Sequence, residues 1–398
     1  MTRKFDTTLG KKPISWKRLM ALKALGDDQF ESLTPAWPPA PHKRTFGGHV
    51  YSQAVCAAGQ TVDHGFVVHV QTDLSVILQQ VTGHFILPGA IDTPFIYRVR
   101  RIRDGGNYCL RSVDVFQESE AAAFGKTPCF VTTISFKRPE TGSGKWKDYN
   151  HQSLPRDHIA TTYRSVLSGK ACEDHPLAPG ADALWWEEEE QEAWSRAAAA
   201  FPGVETRKVD MCKYNGEVEE GGDKDGEGAT RWRQLILYRI ILDDDDENMN
   251  ATTTGVHKAS QPIDLNLHAA AHLYASDRNS LFLIQHAAGF QRIRTNMASL
   301  SHTVIFHQPA DSLRMVDDQG KPKWFVQESW TTFSADKRGC HNSYLWDFDQ
   351  GVVLATTIQD GMMRFPNADV GEGQKSISST TPPSAEGTEP LEAARSKL

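Results

Sequence analysis

The sequence predicts an α+β fold built twice: two small domains, each a buried helix wrapped by an antiparallel sheet, joined as a pseudo-symmetric pair. Three observations predict it. Two stretches, VYSQAVCAAGQTV after Gly47-Gly48 and LNLHAAAHLYAS from Leu265, are small and apolar on most faces, and such helices belong in an interior. Extended runs separated by turn residues come after each helix. The halves also repeat in order, each with a buried helix, a His-containing strand ending in Pro, a hairpin and a Thr-Thr-Ile strand. The closing strands are Thr132-Thr133-Ile134-Ser135 and Thr356-Thr357-Ile358-Gln359, which set Gln359 opposite Ser135 where chemistry would sit.

The first domain spans 14–140. Ile14 to Phe30, broken at Gly26-Asp27-Asp28, reads as a short strand or helix packed on the edge of this domain. Pro35, Pro38, Pro39 and Pro41 enforce an extended connector. Gly47-Gly48 permits a tight turn into the first buried helix, where backbone N–H groups can cradle an anion or a carbonyl oxygen. The plainer reading, a turn beneath a sheet, is equally open. Asp104-Gly105-Gly106-Asn107 joins two extended runs as a hairpin. Arg98, Arg100, Arg101, Arg103 and Arg111 crowd it, either as a solvated strand face or as partners for phosphates.

Between 141 and 200 the pattern dissolves into a linker with some helix. Gly142-Ser143-Gly144-Lys145 resembles a phosphate loop but has Pro139 where a Gly is needed and Trp146 after the Lys. Trp185-Trp186 followed by Glu187 to Glu190 suggests a helix with one sticky and one solvated face. The second domain spans 201–366 and holds the Leu265 helix. Residues 367–398, rich in Ser, Thr, Pro, Gly and Glu, read as a flexible tail.

A length of 398 residues suffices for two domains with sizeable cores. A formal charge of −7 leaves no electrostatic footprint for nucleic acid. No apolar run reaches the length of a membrane span, and MTRKFDTTLGKK lacks the apolar core of a secretory signal. The six cysteines form no pair at zinc spacing, so reduced thiols are expected, without a metal or cofactor. Ser396-Lys397-Leu398 matches the address read by the peroxisomal import receptor, which implies a peroxisomal matrix protein.

One residue stands out for chemistry. Asp277 ends the second buried helix inside Tyr274-Ala-Ser-Asp-Arg-Asn, and a carboxylate there is costly to bury unless it is paired or used. On spacing alone, a helix-ending Asp in solvent remains the competing reading.

Six strings in order, RTFGGHVYSQAV, YRVRRIRDGGNYCLRSV, TTISF, LYASDRNSLF, MASLSHTVIFH and LATTIQDGMMR, make the chain resemble the acyl-CoA thioesterase II family. The likeness runs roughly from Ile14 to Phe365 and implies a double hot-dog fold. It also implies that a carboxylate, a hydroxyl and an amide hold an attacking water, at positions matching Asp277, Ser299 and Gln359. Ser299 keeps the hydroxyl of the Thr found in many members, a feature shared with the peroxisomal branch. Gly47, Gly48, His49 and Arg103 are the substrate-binding candidates. His49 replaces the family's usual Gln, and about ten extra residues stand between His69 and His84. The family and the open sheet edges imply a homo-oligomer.

The implied reaction is hydrolysis of fatty acyl-CoA, with Asp277 as general base. A carboxylate near a helix C-terminus in apolar surroundings is a stronger base than a free one. No G-x-S-x-G string supports a nucleophile-elbow hydrolase. Two rivals are a hot-dog enoyl-CoA hydratase and an inactive acyl-CoA binding protein. For the hydratase, Asp277-Arg-Asn mimics the Asp-x-Asn-x-x-His string, but Phe282 stands where the His should be.

Overall fold

The computed structural model describes residues 14–38, 44–62, 77–117, 127–138, 149–183, 201–216, 227–243 and 264–365. The string Gly142 to Lys145, the segment Trp185 to Glu190, most of the insertion before His84 and Ser396-Lys397-Leu398 lie outside them.

Twelve strands are described: β1 Leu22–Gly26, β2 Gln29–Ser32, β3 Ile77–Phe85, β4 Phe95–Asp104, β5 Tyr108–Gln117 and β6 Phe130–Lys137 in the first half, then β7 Val204–Lys208, β8 Gln234–Ile240, β9 Asn296–Phe306, β10 Phe325–Ala335, β11 Arg338–Asp347 and β12 Val352–Arg364. They form one sheet in the order β1-β2-β4-β5-β6-β3-β9-β12-β11-β10-β8-β7. The helices are α1 Trp16–Leu19, α2 Gly47–Gly59, α3 His158–Thr162, α4 Arg164–Leu167, α5 Cys212–Asn215, α6 Glu227–Arg231, α7 Leu265–Ser276 and α8 Phe282–Ala287. None of them is long and apolar enough to cross a membrane. The segment from Ile14 to Phe30 supplies both a helix and a hairpin, α1 and β1–β2, and β1 is one edge of the sheet.

The halves meet where β3 pairs antiparallel with β9, Thr82 facing Thr303 with their hydroxyls 3.1 Å apart. Strand alternation gives the sheet one buried face. On β6 the residues Phe130, Thr132, Ile134 and Phe136 point inward, and on β12 so do Thr357, Gln359, Gly361 and Met363. Against that face α2 and α7 lie side by side and antiparallel. Gly48 sits at Tyr274, Ser52 Oγ donates to the Ala270 carbonyl at 3.0 Å, and Gly59 sits at Asn266. Small residues at the contact let the two backbones approach, and the helices share one core.

Three of the five hairpin arginines, Arg98, Arg101 and Arg111, serve the fold. Arg111 is fully buried and donates to Thr61 Oγ1 at 2.9 Å and the Thr61 carbonyl at 3.1 Å, with Asp104 beside it at 2.5 Å. A cation there satisfies acceptors just beyond the C-terminus of α2 and complements its dipole. Arg101 pairs with Asp28 at 2.7 Å, and the Arg98 guanidinium lies 4.4 Å from the Phe116 ring centre.

The stretch expected as a linker is partly a packed layer. Ile159, Tyr163 and Val166 of α3, α4 and their junction bury against Leu235, Leu237, Val326 and Trp346 of the second half. Glu328, buried beneath them, accepts from Tyr163 Oη at 2.5 Å and Trp346 Nε1 at 3.0 Å, with His158 Nε2 at 2.9 Å. Those partners are what let a carboxylate sit there.

Candidate active site

Asp277 is the C-cap of α7, with 8% of its surface exposed. Its Oδ2 accepts the backbone N–H of Gly48 at 2.7 Å, and its Oδ1 accepts Gln359 Nε2 at 2.8 Å. The same Gln359 nitrogen donates to Ser299 Oγ at 2.8 Å. The three residues thus come together at the start of α2, the only one of the four elements that belongs to the first half. Gly47 is required by this approach, because a Cβ there would lie 2.8 Å from the Phe85 ring and 2.9 Å from Asp277 Oδ2.

Ser299 reaches the trio through a bulge. Gln359 pairs with His302, Asp360 with Ser301, and Gly361 with Ser299, leaving Leu300 unpaired. In a regular strand Ser299 and His302, three apart, would face opposite sides of the sheet. The extra residue turns both toward the helices. The first half has the same bulge, with Leu78 opposite Phe136 and Gln80 opposite Ser135. By this register Leu78 holds the place of Ser299, and Ile134 holds that of Gln359. The alignment of the Thr-Thr-Ile strings that set Gln359 against Ser135 is therefore off by one, because bulges do not show in a string comparison. The end of α2 carries Gly59-Gln60-Thr61, without a carboxylate. The pseudo-symmetric counterpart lacks all three functional groups.

Burial raises Asp277 from the ordinary 3.8 to about 7, against the hydrogen bonds from Gln359 and Gly48 and the charge of Arg278, which lower it. Two buried histidines flank the trio. His341 Nε2 lies 3.3 Å from Gln359 Oε1, where as a donor it fixes the amide so that Nε2 faces Asp277 and Ser299. His302 Nδ1 lies 4.0 Å from Asp277 Oδ1. Burial pushes His302 down to about 3, so it is a neutral neighbour and this contact is not an ion pair. Tyr51 Oη donates to the carbonyls of Val81 and His302 at 3.0 and 2.8 Å, tying β3 to β9 behind the site.

Asp277, Ser299 and Gly47 line one cavity of about 540 Å³. Its apolar wall includes Val50, Phe85, Phe95 and Phe130 of the first half and Leu281, Phe282 and Met297 of the second. Arg44, Thr45, Arg278, Asn279 and Ser280 join Asp277 and Ser299 in its polar lining. Among the described residues no group of three or more His, Cys, Asp or Glu is placed to hold a metal.

The other substrate-binding candidates fare differently. Gly48 spends its N–H on Asp277, whereas Gly47 N–H, first in the helix, has no partner among the described residues. His49 is fully buried against Phe95, is held neutral by burial at about 3, and does not line the cavity. Arg103 is exposed on β4, eight residues from the cavity-lining Phe95, or roughly 26 Å along the strand. Sequence reasoning missed Arg278, His302 and His341. Arg278 and His302 stand inside the strings LYASDRNSLF and MASLSHTVIFH, and nothing in the sequence pointed to His341.

Comparison with known proteins agrees with the fold. Residues 33–137 match the acyl-CoA thioesterase N-terminal domain, and residues 242–363 match the acyl-CoA thioesterase C-terminal domain. Human acyl-coenzyme A thioesterase 8 is 29% identical over 363 residues, covering 87% of this chain and 88% of the relative. Acyl-CoA thioesterase 2 of Haemophilus influenzae is 23% identical over 325 residues, covering 81% of this chain and 88% of the relative. The crystal structure of an acyl-CoA thioesterase II from Mycobacterium marinum shares the fold, with a TM-score of 0.53 at 18% identity, over 88% of this chain and 99% of that one. Matched in both halves over more than half its length, and folded as a double hot-dog, the chain belongs to the acyl-CoA thioesterase family and is a thioester hydrolase.

Proposed function

We propose that the chain hydrolyses fatty acyl-CoA to fatty acid and CoA by direct attack of a water held at Asp277, Ser299 and Gln359. The observation that carries this reading is the pair of 2.8 Å bonds from one Gln359 nitrogen to Asp277 Oδ1 and Ser299 Oγ, on the wall of an apolar cavity. Gln359 Nε2 uses both protons on its neighbours, so its task is to hold them in register. Ser299 Oγ accepts from Gln359, which leaves its own proton free to hold the water. Asp277 retains lone pairs for the water's proton, and with a pKa of about 7 it is a stronger base than an exposed Asp.

The water oxygen bonds to the thioester carbonyl carbon as one of its protons passes to Asp277. Gly47 N–H, at the positive end of α2, is the donor proposed for the developing oxyanion. Collapse breaks the C–S bond, and the departing thiolate takes the proton back from Asp277. Nothing covalent forms on the protein.

Release of thiol from palmitoyl-CoA, followed with a thiol reagent, tests the reaction. Hydration of an enoyl-CoA without thiol release would favour a hydratase, and retained binding with neither product would favour an inactive binder. The site of action proposed from Ser396-Lys397-Leu398 is the peroxisome. A fluorescent fusion that keeps the C-terminus free should enter peroxisomes, and removal of the tripeptide should leave it outside. Import unaffected by that removal would refute the assignment.

A further inference from the structure

The residue after the base has a partner outside both repeats. Arg278 is 2% exposed, yet its guanidinium donates to three consecutive carbonyls, Ala178 at 3.3 Å, Pro179 at 2.6 Å and Gly180 at 2.9 Å. The rings of Trp37 and Phe201 lie 4.6 and 4.5 Å from it. Carbonyl acceptors and aromatic faces are what make a buried guanidinium tolerable. Asn279, at a left-handed φ of 55°, adds a bond from Nδ2 to the Pro179 carbonyl at 3.1 Å.

The segment they grip, residues 176–183, is also fixed at both ends. Upstream, Ala178 N–H donates to the Thr206 carbonyl at 2.9 Å, and Lys208 N–H donates to the Pro176 carbonyl at 3.0 Å, so this part extends the β7 edge. Downstream, Lys208 Nζ meets Asp182 Oδ1 at 2.5 Å, and His286 Nε2 lies 2.7 Å from the Asp182 carbonyl oxygen. Between these anchors Gly180 and the buried Ala181 line the same cavity as Asp277 and Ser299.

We infer that Gly180 and Ala181, carried on the strap 178–183, form a selectivity wall of the acyl cavity, and that Arg278 is the positioning residue that holds this wall against the base-bearing turn. The inference rests on the hydrolase reading above. A wall of Gly and Ala leaves room in the cavity, so its placement and the size of residue 181 set how long an acyl group fits. Because the strap hangs on the residue next to Asp277, the acyl group and the base are located by one rigid unit.

The test is the ratio of kcat/KM for hexanoyl-CoA to that for palmitoyl-CoA, since the fraction of folded enzyme cancels from it. Ala181→Leu should move this ratio at least tenfold toward hexanoyl-CoA by filling the cavity. Arg278→Met, which frees the strap, should also change the ratio severalfold, and Arg278→Lys should restore it in part, because a compact ammonium lacks the planar fork whose two separate nitrogens reach the three carbonyls. Ratios within twofold of wild type in both Ala181→Leu and Arg278→Met would overturn the inference, whatever the loss of total activity. If Arg278→Met fails to fold, Ala181→Leu alone decides the wall. A wild-type protein that releases thiol from neither substrate would instead overturn the hydrolase reading.

Discussion

Asp277→Asn should lower kcat by about a hundredfold to ten-thousandfold, the range for loss of a positioned general base, without a loss of folded stability at pH 8. The two halves of this result have one cause. Asp277 is buried and its pKa stands at about 7 in the folded chain against 3.8 in the ordinary state. A raised carboxylate favours its protonated form when folded. Its contribution to stability is therefore fully present below about pH 4 and is lost as pH rises through about 7. The interval corresponds to roughly 4 kcal/mol as an upper figure. Asn is neutral throughout, and its one amide oxygen can still accept from either of the two donors that meet Asp277, Gly48 N–H or Gln359 Nε2. Melting temperatures of the variant should match or exceed those of the parent at pH 8, with the gap narrowing toward pH 5. An inactive variant that also melts far below the parent at pH 8 would indicate that Asp277 serves the fold instead.

Gln359→Met should cost about a hundredfold in kcat and also displace the pH profile. Met is close in length but donates nothing, so Asp277 Oδ1 and Ser299 Oγ both lose the donor that holds them together. Losing positioned donors costs on the order of 10² to 10³ in comparable sites. The Gln359 hydrogen bond is the largest influence lowering Asp277. Its removal raises the carboxyl further, and the acidic limb of kcat against pH, near 7 in the parent, should move upward. Activity at pH 6 should fall by a larger factor than activity at pH 8.5. A uniform loss across that range would mean that the amide does not act on the base.

Much of this architecture was legible in the chain, for reasons specific to each element. The two buried helices were readable because LNLHAAAHLYAS and VYSQAVCAAGQTV have no wide polar face, and the sheet shows why, since α2 and α7 are covered on one side by it and on another by each other. The hairpin at Gly105 was readable from its turn residues. The bulge at Leu300 was not, because nothing in MASLSHTVIFH marks an unpaired residue, and so the register of Gln359 against the first half came out one place off. The hairpin arginines carried charge but no direction. Only the folded chain reveals that Arg111 caps α2 and that Arg103 stands far from the cavity. The stretch 149–183 read as a linker because its apolar residues are sparse, yet Ile159 and Tyr163, four apart on one turn, are enough to seat it on the second half.

The central claim is that Asp277 acts on water and never on the thioester itself. Oxygen labelling separates direct attack from an anhydride on Asp277 that water opens at the enzyme's own carboxyl carbon. A single turnover with enzyme in excess, run in H₂¹⁸O with palmitoyl-CoA, should place one labelled oxygen in the palmitate and none in the peptide containing Asp277. Label in the Asp277 carboxyl group, with unlabelled palmitate, would show an acyl-aspartyl intermediate and contradict the account.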